Sequence, residues 1–134
     1  MSKYYTPELE EFHVGFEYEA LVDYYKQEFE KFTIDDTDSL RSICSTWDRG
    51  EVEYWRVKYL DREDIESLGF ESSGSEHYFR KRVGTTSEFS IHREGTSLLI
   101  EYTEVFRDPE VETIFKGTIK NKSELKKLLK QLGI

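Results

Sequence analysis

Residues 11–19, EFHVGFEYE, carry side chains that could take part in chemistry. Apolar and polar residues alternate here, and alternate side chains of a β-strand point to opposite faces. His13, Glu17 and Glu19 would then share one face, with the Cβ atoms of the two glutamates roughly 6–7 Å apart. An imidazole and two carboxylates are ligand types that suit Mg²⁺, Mn²⁺ or Zn²⁺. The stretch is therefore either a metal or catalytic site, or the solvated side of a strand.

The sequence favours a solvated strand face. Gly15 interrupts the polar row between His13 and Glu17, and the chain contains no HxH or HExxH motif to supply further ligands. Charged side chains also protect an edge strand from pairing with other chains. We therefore predict an edge strand at about 12–20, in which Gly15 marks a bulge or a close approach by another chain. We expect no bound metal and no cofactor.

A second group of candidate residues lies in the stretch YFRKRV. In a strand, Tyr78, Arg80 and Arg82 would share one face. Cations beside aromatic rings are typical of surfaces that bind single-stranded nucleic acid, and they also suit a small anionic ligand. The net charge of −9 opposes general nucleic acid binding. These residues therefore predict a ligand or partner site, with nucleic acid disfavoured.

Signals for catalysis are weak. The chain has three histidines, at positions 13, 77 and 92, and no GxSxG, GxxxxGK[ST] or GxGxxG motif. The hydroxyl residues of VGTTSEF fit a turn between strands. The sequence therefore assigns no catalytic residue and favours a protein that is not an enzyme.

The strand and turn signals predict an α+β fold with one antiparallel sheet of six or seven strands. Four of these strands lie in the C-terminal part, at about 77–83, 87–93, 97–105 and 111–119, and the first three form a meander of hairpins. Residues 21–34 fit either a helical face or a strand, and we favour a turn or short helix followed by a strand near 28–34.

Two or three short helices should pack on one face of this sheet. The first follows a cap at residues 36–38 and buries a stripe that includes Cys44. The second begins after Asp61 and stops at Gly69. The third begins after Asn121 or Ser123 and buries four leucines, at positions 125, 128, 129 and 132.

Length and composition predict a single domain over residues 1–134, with residues 1–10 as a partly extended lead-in. One cysteine and the lack of a leader or of an apolar run of roughly 18 residues predict a cytoplasmic protein without a membrane segment. Residues 1–75 hold 8 Lys and Arg against 19 Asp and Glu. Such an acidic half repels phosphates and suits a basic partner.

Three segments resemble small uncharacterised proteins encoded by tailed phages, prophages and mobile elements of gut anaerobes. The segments are YYTPELEEFHVGFEYE, RVKYLDREDIESLGFE and TIFKGTIKNKSELKKLLKQLGI. The resemblance implies a context, that of an intracellular accessory protein, and it assigns no functional residue. It also implies roles common among such proteins, as inhibitors, adaptors or sponges for host factors.

The sequence as a whole predicts a small non-enzymatic binding protein that acts by contact with a host factor or with a second copy of itself. The edge strand near 12–20 would supply the contact. One alternative is a domain that binds a small ligand, either an anionic nucleotide-like molecule or a metal. The other is binding of single-stranded nucleic acid through residues 78–82 and the C-terminal helix.

Overall fold

A computed structural model describes residues 3–50, 54–72, 74–104 and 110–134 of the chain. The chain divides into two compact units, Met1–Tyr59 and Leu60–Ile134. Each unit contains one antiparallel sheet, and the described ranges also contain three α-helices. The α+β class is confirmed, whereas the single sheet of six or seven strands is wrong: the described residues form nine strands, in sheets of four and five. A single domain over residues 1–134 stays a prediction.

The first unit is a four-stranded sheet in the order β1-β4-β2-β3. Its elements are β1 (Tyr4–Tyr5), a short 3₁₀ helix (Leu9–Glu11), β2 (Glu17–Asp23), β3 (Glu28–Thr33), α1 (Thr37–Asp48) and β4 (Trp55–Lys58). The predicted strand near 28–34 is confirmed as β3. Because β2 pairs with β3 on one side and β4 on the other, the edges of this sheet are β1 and β3.

One face of the four-stranded sheet, the core-side face, packs into the first core. Trp55 and Val57 alternate along β4 and are buried there, together with Phe12, Phe16 and Ile43. Tyr18 and Ala20 of β2 pack against the same cluster. Burial of these large side chains is the main stabilising contribution in a unit of this size.

The predicted strand at about 12–20 is wrong in its first half and in its edge position. Residues 12–16 are outside the strand, and 13–16 form a turn in which the Phe16 N–H donates to the His13 carbonyl at 3.0 Å. Gly15 has φ +95°, and its N–H donates to the Ile34 carbonyl at 2.7 Å. No heavy atom would lie within 4 Å of a Cβ added to Gly15. The glycine is therefore required by its backbone angle, and neither a bulge nor a close approach explains it.

Helix α1 begins as predicted, at the N-cap Asp36, whose carboxylate accepts from the Ser39 N–H at 2.8 Å. Ile43 is its buried residue, and Leu40 and Trp47 lie three and four residues away on the same stripe. The predicted burial of Cys44 is wrong, since Cys44 is exposed. A position next to Ile43 is rotated about 100° around the helix, away from the core.

The second unit contains a five-stranded meander, β5-β6-β7-β8-β9, which confirms the predicted C-terminal meander and adds to the four predicted strands a short one, β5. Its elements are α2 (Arg62–Ser67), β5 (Glu71–Ser72), β6 (Tyr78–Val83), β7 (Ser87–Glu94), β8 (Ser97–Glu104), β9 (Glu110–Thr118) and α3 (Lys122–Leu132). Asp61 caps α2, and Asn121 rather than Ser123 caps α3, accepting from the Glu124 N–H at 2.9 Å.

The second core lies between this sheet and helices α2 and α3. Phe79, Ile91 and Ile100 are opposite one another on adjacent strands, and all three are fully buried. Ile65 of α2 and Leu125 of α3 belong to the same cluster. Because these inward positions alternate with outward ones, the intervening residues of β6 to β9 form the outer face of the five-stranded sheet. None of the helices in the described ranges is long and apolar enough to span a membrane.

The cap of α1 generates a pH-dependent prediction. Hydrogen bonds from Ser39 lower the pKa of Asp36 below its ordinary value of 3.8. A lowered folded-state pKa stabilises the fold above the unfolded-state value, and this contribution disappears as the pH falls through the folded-state pKa. Asp36→Asn should therefore lower the urea midpoint relative to wild type near neutral pH, and the difference should shrink at strongly acidic pH.

The matched control is Asp35→Asn, which removes the same charge from the exposed residue that precedes the cap. It should change the midpoint less than Asp36→Asn near neutral pH. A difference for Asp36→Asn that stays constant from neutral to strongly acidic pH would contradict the role assigned to the charged cap.

Candidate functional site

The outer face of the four-stranded sheet, opposite the core-side face, presents charged and aromatic side chains. Glu19 stands opposite Arg56 of β4 on one side and opposite Lys31 of β3 on the other. Directly opposed residues of antiparallel strands lie on the same face and are close enough to interact. Glu17 and Phe29 follow on the same face because side chains alternate along β2 and β3.

Arg56 forms the centre of this face. Its Cζ lies 3.8 Å from the ring centroid of Tyr4 and 3.8 Å from that of Phe29. Its Nη2 donates to Glu19 Oε1 at 3.0 Å. Tyr4, Arg56, Glu19 and Phe29, here called the Arg56 stack, come one from each of the four strands. The stack therefore ties both edge strands to the middle of the sheet.

The polar row predicted from the sequence, His13, Glu17 and Glu19, is not continuous in the structure: the two glutamates form ion pairs on the sheet, and the histidine lies in a turn. Glu17 and Glu19 share the outer face, and each accepts a cation: Glu17 Oε2 lies 3.2 Å from Lys31 Nζ. His13 lies in the turn before β2, where its Nδ1 bonds to the Glu11 carbonyl at 2.9 Å. Within the described residues, no group of three or more His, Cys, Asp or Glu side chains is placed to hold a metal.

The tip of the β2–β3 hairpin exposes two aromatic rings. Tyr25 is 97% exposed and Tyr24 65%. The turn beneath them is closed by its own hydrogen bonds, since Asp23 Oδ1 accepts from the N–H groups of Tyr25 and Lys26 at 3.0 and 3.2 Å. Gln27 has φ +54° and donates its N–H to the Tyr24 carbonyl. The rings are thus presented by an ordered turn.

Apolar exposure continues from the tip along the hairpin. Val22 is 48% exposed and Phe32 39%, the latter on the core-side face of β3. We call Val22, Tyr24, Tyr25, Phe32 and the free edge of β3 the hairpin surface. At the end of the hairpin away from the tip, the ring of Phe32 stacks on that of Tyr18. Burial raises the pKa of Tyr18. Sequence reasoning missed the hairpin surface, although adjacent tyrosines in the polar stretch VDYYKQE were its visible signal.

The other predicted residues lie on the outer face of the five-stranded sheet. Arg80 Nε is 3.4 Å from Glu88 Oε1, and the ring of Tyr78 is 4.8 Å from that of His92. His92 Nε2 lies 2.7 Å from Glu101 Oε1. A cleft of about 320 Å³ opens beside the start of β5. It is lined by Gly69, Glu71, Arg80, Lys81, Arg82 and Glu88.

The seven predicted residues are therefore divided between the two units. His13, Gly15, Glu17 and Glu19 belong to the first, and Tyr78, Arg80 and Arg82 to the second. Sequence reasoning also missed Arg56 and Phe29, because their contact joins strands that are distant along the chain. Comparison with known proteins gives no match to a protein-family model, a curated protein or a solved structure.

The Arg56 stack generates a stability prediction. Arg56→Met keeps most of the side-chain volume but removes the cation, and it leaves the half-buried Glu19 carboxylate unpaired. Cation–π contacts and a partly buried charged hydrogen bond together should make the loss of unfolding free energy about 2 kcal/mol. Chemical denaturation monitored by tryptophan fluorescence measures it.

Lys31→Met is the matched control, because it breaks the other cross-strand ion pair on the same face. Lys31 is 65% exposed in that pair, so its loss should cost less than about 0.5 kcal/mol. Equal destabilisation by the two substitutions would rule out a special role for the stack.

Proposed function

We propose that this chain is a small non-enzymatic binding protein that acts by contact with a protein partner through the hairpin surface. The single observation that carries the proposal is the pair of exposed tyrosines, Tyr24 and Tyr25, on a hydrogen-bonded hairpin tip. Tyrosine offers a large amphipathic contact area with few rotatable bonds, and it is enriched among residues that dominate binding energy.

The distribution of exposed apolar side chains supports the first unit as the contact region. Among the described residues, six of the eight large exposed hydrophobic side chains belong to it. The six are Val14, Val22, Tyr24, Tyr25, Phe32 and Tyr54; the two in the second unit are Val83 and Val111. Scattered single residues need no explanation, but adjacent ones on one hairpin are typical of an interaction site.

The charge of the chain supports a partner that is not itself acidic. Residues 1–75 carry a large excess of acidic side chains, which attracts basic surfaces and speeds encounter with them. The resemblance to phage and mobile-element proteins supports a host factor as that partner, met in the cytoplasm. In this proposal, the aromatic tip provides contact energy and the surrounding carboxylates provide orientation.

The proposed contact predicts where a partner can be crosslinked. A photoreactive amino acid replaces Tyr25 in the full chain, and in a control chain it replaces Val111, an exposed apolar residue of the second unit. In the cells that naturally express the protein, position 25 should give one defined crosslinked adduct and position 111 none. Adding Tyr24→Ser to the first chain should reduce the adduct yield severalfold, because the neighbouring ring is lost.

Two results would overturn the proposal. One is the same set of adducts from both positions, which indicates random collision. The other is an adduct from position 111 alone, which assigns the contact to the second unit.

The cleft on the second unit favours a second candidate function, binding of a small anionic ligand. Arg80, Lys81 and Arg82 supply three cations to its lining, against two carboxylates. Arg82 makes no ion pair within the residues that the structure describes. The end of the Lys81 side chain lies beside Gly69, with Cε and Nζ each 3.6 Å from the position that a Cβ would take there. An anion would then gain charge-assisted hydrogen bonds that the free protein does not make.

Titration calorimetry with pyrophosphate tests this second candidate. Wild type should release heat on binding, and Arg82→Gln should weaken the affinity about tenfold, because one charged hydrogen bond is lost. Lys126→Gln, on the exposed side of α3, is the charge-matched control and should leave the affinity unchanged. Equal weakening by both substitutions, or no binding by wild type, would exclude the cleft as a site.

A further inference from the structure

The edge of β3 is open to a further strand. β3 pairs with β2 on one side, and no other strand in the described part of the chain pairs with its other side. Alternate residues of an edge strand direct their N–H and C=O groups outward, where another chain can bond to them. Five of the six residues of β3 are exposed, and the sixth is Phe29, held in the Arg56 stack.

The two faces of β3 carry different charges. Glu28 and Glu30 lie on the core-side face together with Phe32, and Lys31 lies on the outer face. Lys31 is paired with Glu17. Neither Glu28 nor Glu30 forms an ion pair with any residue that the structure describes, and both are exposed. The edge thus offers two unneutralised carboxylates, two positions apart, next to an exposed aromatic ring.

A second copy of the chain is a poor occupant of this edge. In a two-fold antiparallel pair, each side chain stays on its own face and one residue stands opposite its own copy. The two registers that pair most of β3 with its copy place Glu30 against Glu30, or Lys31 against Lys31. Like charges directly opposite one another destabilise a strand pair. The charge pattern therefore disfavours a homodimer through β3.

We propose that β3 accepts, as an added antiparallel strand, an extended segment of a partner protein with an apolar residue followed, two and four positions further, by Lys or Arg. The basic side chains oppose Glu28 and Glu30, and the apolar one contacts Phe32. Backbone hydrogen bonds along the edge supply affinity, and the alternate charges supply specificity and register. The proposal rests on the proposed function, since it specifies the partner at the same hairpin surface.

The test is an NMR titration of the full chain with synthetic peptides. The probe is Thr-Val-Thr-Lys-Thr-Lys-Thr, and the control peptide is Thr-Val-Thr-Thr-Lys-Lys-Thr, which has the same composition but places its lysines on opposite faces of a strand. The probe should shift backbone amide signals within Glu28–Thr33 and bind more tightly than the control. Equal affinity for the two peptides, or shifts confined to other strands, would overturn the proposal.

Paired charge reversals separate a strand-specific site from general attraction. Glu28→Lys/Glu30→Lys should weaken probe binding about tenfold. Glu110→Lys/Glu112→Lys makes the same charge change at alternate exposed positions of β9, an edge strand of the other sheet, and should change the affinity less than twofold. Equal loss in the two variants would contradict the assignment to β3.

The outcome also separates this proposal from the proposed function. If the probe does not bind but position 25 still gives its crosslinked adduct, the strand chemistry is wrong and the hairpin contact stands. If both fail, the proposed function is wrong as well.

Discussion

The contact between Arg56 and two aromatic rings is the interaction on which the first unit depends. Its guanidinium carbon lies 3.8 Å from the ring centroids of Tyr4 and Phe29, and it is bonded to Glu19. Arg56 Nε is buried without a hydrogen-bond partner among the described residues. An unmet buried donor costs about 1–3 kcal/mol, so the ring contacts and the carboxylate must offset that cost. A lysine could not replace this planar group.

The stack has a consequence for the proposed contact surface. β1 and β3 are the edge strands of the sheet, and neither is paired on its outer side in the described residues. Edge strands are the parts of a sheet that separate most easily. Arg56 contacts a ring on each of them, so it fixes both edges to β4 and β2. A rigid edge loses less conformational entropy when a partner binds, which favours affinity.

The balance of charge on β3 also reflects its edge position. Glu28, Glu30 and Lys31 discourage pairing of β3 with its own copies, as charges do on many edge strands. The same residues still allow a chain of complementary charge to bind. Selectivity of this kind needs only backbone hydrogen bonds and opposite charges facing one another at alternate positions, and it leaves the cores of both units undisturbed.

Much of the fold followed from the sequence because its signals are local. Asp36, Asp61 and Asn121 cap their helices through contacts within one turn, and Gly84 and Gly95 fall between the strands of the meander. The same local reasoning failed at residues 12–16. Their apolar alternation imitates a strand, yet the positive φ of Gly15 turns the chain and sends both Phe12 and Phe16 into the core.

The candidate site was less predictable, because long-range contacts define it. Glu17 and Glu19 were placed on one face by their spacing alone, but their cations come from β3 and β4. Nothing local to the sequence WRVK indicates that Arg56 meets Tyr4 and Phe29. Tyr25 is exposed because the hairpin extends beyond the core. The hydrophobic periodicity and the strand propensity of the sequence do not specify how far it extends.

Hydrogen–deuterium exchange of Arg56→Met, compared with wild type, tests most directly whether the stack holds the edge strands. The amides of β3 and β1 should exchange at least about tenfold faster in the variant, since a loss of about 1.4 kcal/mol in local stability gives that factor. The amides of β7 and β8, in the second unit, should exchange at their wild-type rates. Unchanged exchange in Glu28–Thr33 would contradict the central role of Arg56, and so would an equal increase in both units.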